Sequence, residues 1–474
     1  MKIVSIDIGS TWTKGALFDL VGKNLRLVRR KSFPTTVDDL AVGFFTVLEM
    51  LLPKGESAVR AGQVKLFYSS SAKGGLAVAA LGVVPDITLA SAQEVACSAG
   101  AKLTSVFSYE LTSDDIEALE HNSPDIILFA GGTDGGDQEY VLANVKAIAD
   151  SSLSCTIVYA GNRSIQDEVS ALLSNHKLIV VDNIQPSLDQ SNPEPAREAI
   201  RSVFLSTIVK GKGLDSIVCR VGCEPLPTPY AMFELCGFIR EHIPDWSGFM
   251  IFDLGGATTD VYTCVEPLCE PATVVRGLPE PAIKRSVEGD LGMRVSADST
   301  VKLAKERLDN DAQFFEYTKS LKQNAGYLPA EGERHCHYDR LLAETCVATA
   351  SVRHAGYQQE VFTTEGRVFV QVGRNLRGVQ HVIGSGGYLA SAQGIDLRGC
   401  FAEGAIDERG RQVLLPDGFS YYQDQHYLLP LLANVAQGYP EAAAQLAVGS
   451  LLKQEYSTDT GFTGDGSKQQ KAFT

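Results

Sequence analysis

Asp7, Gly9, Ser10, Thr11, Thr13 and Lys14 stand close together in the opening run MKIVSIDIGSTWTKGALFDL. Ile3, Val4 and Ile6 are β-branched and predict a buried strand. Asp7 to Thr11 then turns the chain, and Thr13 to Leu20 resumes as a second strand. The tip of such a hairpin is polar and free of bulk. Gly9 lets backbone N–H groups approach an anion, Thr11 and Thr13 can donate hydrogen bonds, and Lys14 brings positive charge. Asp7 can hold a magnesium ion through its water shell. The tip suits a polyphosphate, and an ordinary hairpin with a polar turn has the same local pattern.

The pattern recurs far along the chain in GFMIFDLGGATTDVYTCV, where Asp253, Gly255, Gly256, Thr258 and Thr259 again follow an apolar strand and precede another. Internal duplication is the natural reading. Two such tips facing each other across a cleft would grip both sides of a polyphosphate, with Asp7 and Asp253 directed at one Mg²⁺. That ion keeps most of its waters and favours flanking carboxylates. A third element is HVIGSGGYLA, where Gly384, Ser385, Gly386 and Gly387 turn a strand into a helix. A glycine turn lets a flat ring lie on backbone, and the helix start adds anion affinity; a packing turn would look alike.

The elements that must position these tips follow from the rest of the chain. Its 474 residues, 44% hydrophobic and 21% charged, fit a globular protein of several domains. A net charge of −15 argues against nucleic acid or anionic membrane as partner. Neither a secretory signal nor a bilayer-length apolar run is evident, which predicts a cytoplasmic protein. The ten cysteines are scattered and read as reduced thiols. A helix is expected from Val37 to Leu52, with Asp38 and Asp39 at its positive end. Strands VKLFYSSS, DIILFAGG, CTIVYAG and KLIVVD alternate with helical stretches, as in a parallel α/β domain inserted at 61–215. Residues 1–60 and 216–455 would then form the duplicated body, with TVVRG as a third strand of its second half. Residues 456–474 read as a polar, disordered tail.

This order of elements resembles the actin-like ATPase superfamily. That resemblance implies an α/β fold of two duplicated ribonuclease-H-like domains carrying an inserted α/β domain. Asp7 to Lys14 is similar to its first phosphate motif, Asp253 to Asp260 to its second, and Ile383 to Leu389 to its adenosine motif. CEPLPTPYAMFELCGF is similar to the connecting helix that positions the attacking water, which implies Glu224 as the water-orienting carboxylate. Leu226 and Pro227 interrupt that match.

A narrower resemblance spans nearly the whole chain. SAKGGLAVAALGVVPDIT, DIILFAGGTDGGD, PTPYAMF, DLGGATTDVYT and KRSVEGDLGMR resemble the glutamate mutase L family, MutL or GlmL. Its members stand beside adenosylcobalamin-dependent carbon-skeleton mutases such as glutamate mutase. The resemblance implies an ATP-hydrolysing, chaperone-like reactivating factor for such a mutase, with the insert as the contact surface. A small-molecule kinase of the same superfamily is the alternative, and an ATP-dependent scaffold a third reading. Asp134 and Asp137 of AGGTDGGD could serve a metal, a partner or a kinase base, or simply close a glycine turn. Glu288 and Asp290 of VEGDLGMR could reach nucleotide, while helix capping alone would explain Asp290.

Overall fold

The computed structural model describes residues 1–454 apart from 37, 72–75, 209–212, 304–311, 325–326, 328, 330–331, 365, 393–394 and 408. The expected tail at 456–474, the start of the first helix at Val37 and part of the SAKGG run therefore lie outside the described residues.

The chain opens as an antiparallel meander of β1 (Lys2–Ile8), β2 (Trp12–Val21) and β3 (Asn24–Pro34), and β4 (Val64–Ser70) returns parallel to β1. Between them the helix Leu40–Leu51 covers one face, begun by Asp39, whose side chain accepts from the Ala41 N–H. Next comes the insert, with β5 (Ala77–Gly82), β6 (Lys102–Ser108), β7 (Ile126–Ala130), β8 (Thr156–Tyr159) and β9 (Lys177–Val180). They pair in the order β6-β5-β7-β8-β9, all parallel. Helices cover both faces, so β5 and β7 are almost continuously buried and read as apolar runs without alternation. The short β10 (Leu226–Pro227) then joins β4, completing the sheet β3-β2-β1-β4-β10.

The second half repeats this arrangement. It contains β11 (Phe249–Leu254), β12 (Thr259–Cys264), β13 (Thr273–Arg276), β14 (Ile283–Glu288), β15 (Tyr357–Thr363), β16 (Gly366–Val372), β17 (His381–Ser385), β18 (Gln412–Val413), β19 (Ser420–Gln423) and β20 (Leu452–Gln454). Its main sheet runs β14-β12-β11-β17-β19, with β20 added at the edge. Strand for strand this matches the first sheet: a hairpin, a third antiparallel strand on one side, and two parallel strands on the other. Two ribonuclease-H-like halves of this kind, with an inserted α/β domain, make the actin-like ATPase fold.

Two expected placements change. VKLFYSS is β4 of the first half, parallel to β1, so the insert begins after Ser70; the apolar run at Ala77–Gly82 supplies the insert's first strand, paired between β6 and β7, instead. TVVR is β13 of a separate four-stranded sheet with β16, β15 and β18, and the third strand of the second half is β14. A single strand's apolar pattern fits either sheet, and only pairing decides between them.

The helices Thr228–His242, Leu429–Ala436 and Pro440–Gly449 lie between the halves. Their Met232, Leu235, Leu431 and Ala443 share one core with Ile3 and Phe18 of the first sheet and Phe249, Ile251 and Tyr262 of the second. Burial of this kind, worth about 25 cal/mol per Å² of apolar surface, fixes the two hairpins on one frame.

Candidate functional site

Both hairpin tips close with the same turn. The Gly9 N–H donates to the Trp12 carbonyl at 3.1 Å, and the Gly255 N–H to the Thr258 carbonyl at 2.9 Å. A Cβ on Gly9 would lie 2.8 Å from the Trp12 carbonyl oxygen and one on Gly255 3.0 Å from that of Thr258, so neither turn has room for a side chain. Cross-strand register makes Lys14 the partner of Asp7 and Asp260 the partner of Asp253. The duplicated loops thus differ in charge at one equivalent position.

Asp7 is 1% exposed. Its Oδ1 accepts from Thr228 Oγ1 at 2.7 Å and Ser69 Oγ at 3.2 Å, and the nearby Tyr427 hydroxyl also favours its charged form. Burial raises its pKa against these donors and against Lys14. Asp253 is half-buried, and its pKa is pushed up to about 7, first by burial and then by the Asp260 carboxylate opposite. Asp424 forms the third corner. It accepts from the Leu428 and Leu429 N–H groups at 2.7 and 3.1 Å and from Ser385 Oγ at 3.0 Å, and burial raises its pKa. Lys14 faces all three carboxylates, and burial lowers its pKa against their pull.

Three carboxylates around one ammonium leave the cleft short of positive charge, which burial makes costly. This donor set fits a hydrated Mg²⁺ held through its waters by Asp7 and Asp253. Among the described residues no three His, Cys, Asp or Glu side chains form a ready cage for direct ligation. At the tips, Ser10 and Thr11 are exposed and Thr258 half-buried, so their hydroxyls remain accessible. Thr13 and Thr259 are fully buried: Thr13 bonds Thr35 at 3.1 Å, and Thr259 donates to the Leu291 carbonyl at 3.0 Å. They hold the loops, and their hydroxyls are not offered to a ligand.

The glycine turn behaves similarly. Gly384, Ser385 and Gly386 are buried, with Gly386 at φ +90° against the Leu254 backbone, and Gly387 alone of the four is exposed, with open space around it. Ser385 is spent on Asp424. Glu224 is exposed. Register sets Leu226 of β10 beside Ser69 of β4, and Ser69 beside Asp7, so Glu224 lies two residues further toward the foot of the sheet. Thr228, at the start of the connecting helix, reaches Asp7 in its stead.

Thr228, Tyr427 and Asp424 are thus site residues that sequence reasoning missed. Asp424 carried a signal, since an Asp ahead of LLPLL, with its proline at a helix start, is a capping pattern. A family profile described as MutL protein matches residues 3–451. Protein MutL of Clostridium tetanomorphum is 35% identical over 461 residues, covering 94% of this chain and 98% of the relative. The chain belongs to the MutL family.

Among solved structures, a diol dehydratase-reactivating factor in nucleotide-free form is similar over 92% of this chain and 99% of its own, at 11% identity and TM-score 0.36. A glycerol dehydratase reactivase covers 92% and 100%, also at 11% and 0.36. The xylulose kinase of Bifidobacterium adolescentis covers 96% of each chain at 12% identity and TM-score 0.29.

In this MutL-family chain the VEGDLGMR segment backs the second tip. Met293 N–H donates to the Gly255 carbonyl at 3.1 Å, Arg294 and Val295 N–H to that of Gly256 at 2.8 and 2.7 Å. Glu288 and Asp290 grip Arg353 at 2.7 Å each, and the next helix begins only at Ala297, so Asp290 is not a helix cap. In the insert, Asp134 accepts from the Arg163 N–H at 3.1 Å and Asn183 Nδ2 at 2.9 Å. The Asp137 carbonyl is held by Asn162 Nδ2 at 3.1 Å. These bonds organise a glycine turn at the carboxyl edge of the parallel sheet.

Proposed function

We propose that this protein is an ATP-dependent, chaperone-like reactivating factor that releases damaged cobalamin from an adenosylcobalamin-dependent carbon-skeleton mutase. The observation that carries the nucleotide part is the pair of matching tips, with Asp7 and Asp253 near one lysine in a cleft between duplicated halves. Family membership supports the mutase as partner. Mg²⁺ would neutralise polyphosphate charge, with Asp7 and Asp253 holding its waters. Lys14 supplies the cation on the protein side, and Thr228 and Ser69 orient the Asp7 carboxylate.

Radical chemistry occasionally loses the adenosyl radical and leaves an inactive cobalamin locked in the mutase. Exchange needs an opened mutase, and a binder whose grip differs between open and closed forms shifts that balance. Alternation of the cleft between two closures gives such a grip.

The test is recovery of activity by a mutase loaded with hydroxocobalamin, given this protein, ATP, Mg²⁺ and fresh adenosylcobalamin. Recovery is expected, and it should fail with Asp253→Ala. A protein that phosphorylates a small metabolite and leaves candidate mutases untouched would be the kinase of the alternative reading.

A further inference from the structure

The helix Ala90–Ser98 of the insert ends in a turn, Cys97 to Ala101, that touches both halves of the cleft. On one side is Gly100, at φ +88°, where a Cβ would lie 3.0 Å from the Tyr230 backbone nitrogen and 3.2 Å from Pro227 Cβ. Those residues flank Thr228, the donor to Asp7. On the other side is Arg285 of β14, 3% exposed. Its Nη1 donates to the Cys97 carbonyl at 2.5 Å and the Ala101 carbonyl at 3.2 Å, and its Nε to Asp260 Oδ1 at 2.9 Å. Asp260 is the ladder partner of Asp253. One turn of the insert is therefore linked to Asp253 through Arg285 and Asp260, and packs against the neighbours of Thr228, the donor to Asp7.

We propose that the Cys97–Ala101 turn is the joint through which the state of the cleft reaches the insert, with Arg285 as its positioning residue. This rests on the nucleotide reading above. A planar guanidinium can hold a carboxylate and two carbonyls at fixed angles, which the single ammonium of lysine cannot. The surroundings are close-packed, so movement of the second tip against the first must disturb either the Arg285 bonds or the Gly100 contact. Arg285 also keeps Asp260 paired; burial works against its charge, and the Asp260 carboxylate outweighs that and raises its pKa.

The experiment is hydrogen exchange of residues 90–101 in the full chain with and without MgATP, alongside calorimetric nucleotide affinity. In the wild type, MgATP should change exchange at 97–101 by about 10-fold, the scale of ordinary site coupling. Arg285→Lys keeps a cation beside Asp260. It should bind MgATP within about 3-fold of wild type and unfold at a similar temperature, yet lose that exchange response. Should it fail to fold, Arg285→Gln, whose amide nitrogen can still donate to Asp260, carries the same expectation. An undiminished response in these variants, or a wild type that binds MgATP without change at 97–101, overturns the coupling alone. A wild type that binds no MgATP overturns the nucleotide reading and the coupling with it.

Discussion

Lys14 Nζ stands 3.1 Å from the centroid of the Tyr427 ring, a contact that crosses from the second half of the protein to the first tip. The hydroxyl of the same tyrosine favours the charged form of Asp7, and the residue holds φ +49°. It thus stands against the lysine that the proposed function assigns to polyphosphate, beside the carboxylate it assigns to Mg²⁺. Tyr427→Ala should free Lys14 and tighten MgATP binding by about 5-fold, the scale of one partly desolvated cation–π contact. Calorimetry reads it, and a weakened affinity would make the ring a support for the ligand instead.

Asp7 is a buried carboxylate kept at a cost, since burial raises its pKa despite Lys14 and the hydroxyls of Thr228 and Ser69. Asp7→Asn keeps the shape and can still accept from Thr228. It should abolish Mg²⁺-dependent ATP hydrolysis while leaving the melting temperature equal or higher, the usual trade at a functional site. Turnover near wild type would remove Asp7 from the proposed chemistry.

The connecting helix separates two candidates for positioning. Thr228→Val removes the 2.7 Å bond to Asp7 and should slow hydrolysis by about 10- to 100-fold with nucleotide affinity little changed. Glu224→Gln, in an exposed carboxylate off the level of Asp7, should stay within about 3-fold of wild type. A reversed order would return the water-orienting role to Glu224.

Why Glu224 and not Thr228 stood out in the sequence has a physical basis. Chain spacing near a strand end does not reveal which residue is level with a partner, because register is set by pairing. The tips were legible because each needs Gly at a closed turn and a carboxylate at a strand end, which are local demands. Tyr427 and Arg285 were not, since Lys14 is hundreds of residues from Tyr427, and Arg285 meets Cys97 and Ala101 in a turn of the insert. Likewise β4 and β13 were visible as strands, but the sheet each joins depends on long-range pairing. The hydroxyls of Thr13 and Thr259 fit a phosphate by type, yet both are buried by the loops they close.

His354 gives the fold an acid limit apart from the cleft. It is 2% exposed, with Nε2 2.8 Å from Thr263 Oγ1 on β12 and Nδ1 2.8 Å from Ser286 Oγ on β14. Burial holds its pKa well below 6.5, and Lys284 and Arg374 nearby act in the same direction. The imidazole is therefore neutral in the native state, while in the unfolded chain it titrates near its ordinary value. As pH falls through about 6.5 the unfolded state takes up a proton that the native state does not, so stability decreases on acidification. Above that range both states are neutral and this contribution is complete. His354→Gln, which has no titrating group, should lower stability at neutral pH through poorer packing but flatten its decline between about pH 6.5 and 5. Urea midpoints across that range measure the slope; an equally steep decline in both proteins would assign the acid sensitivity to another group.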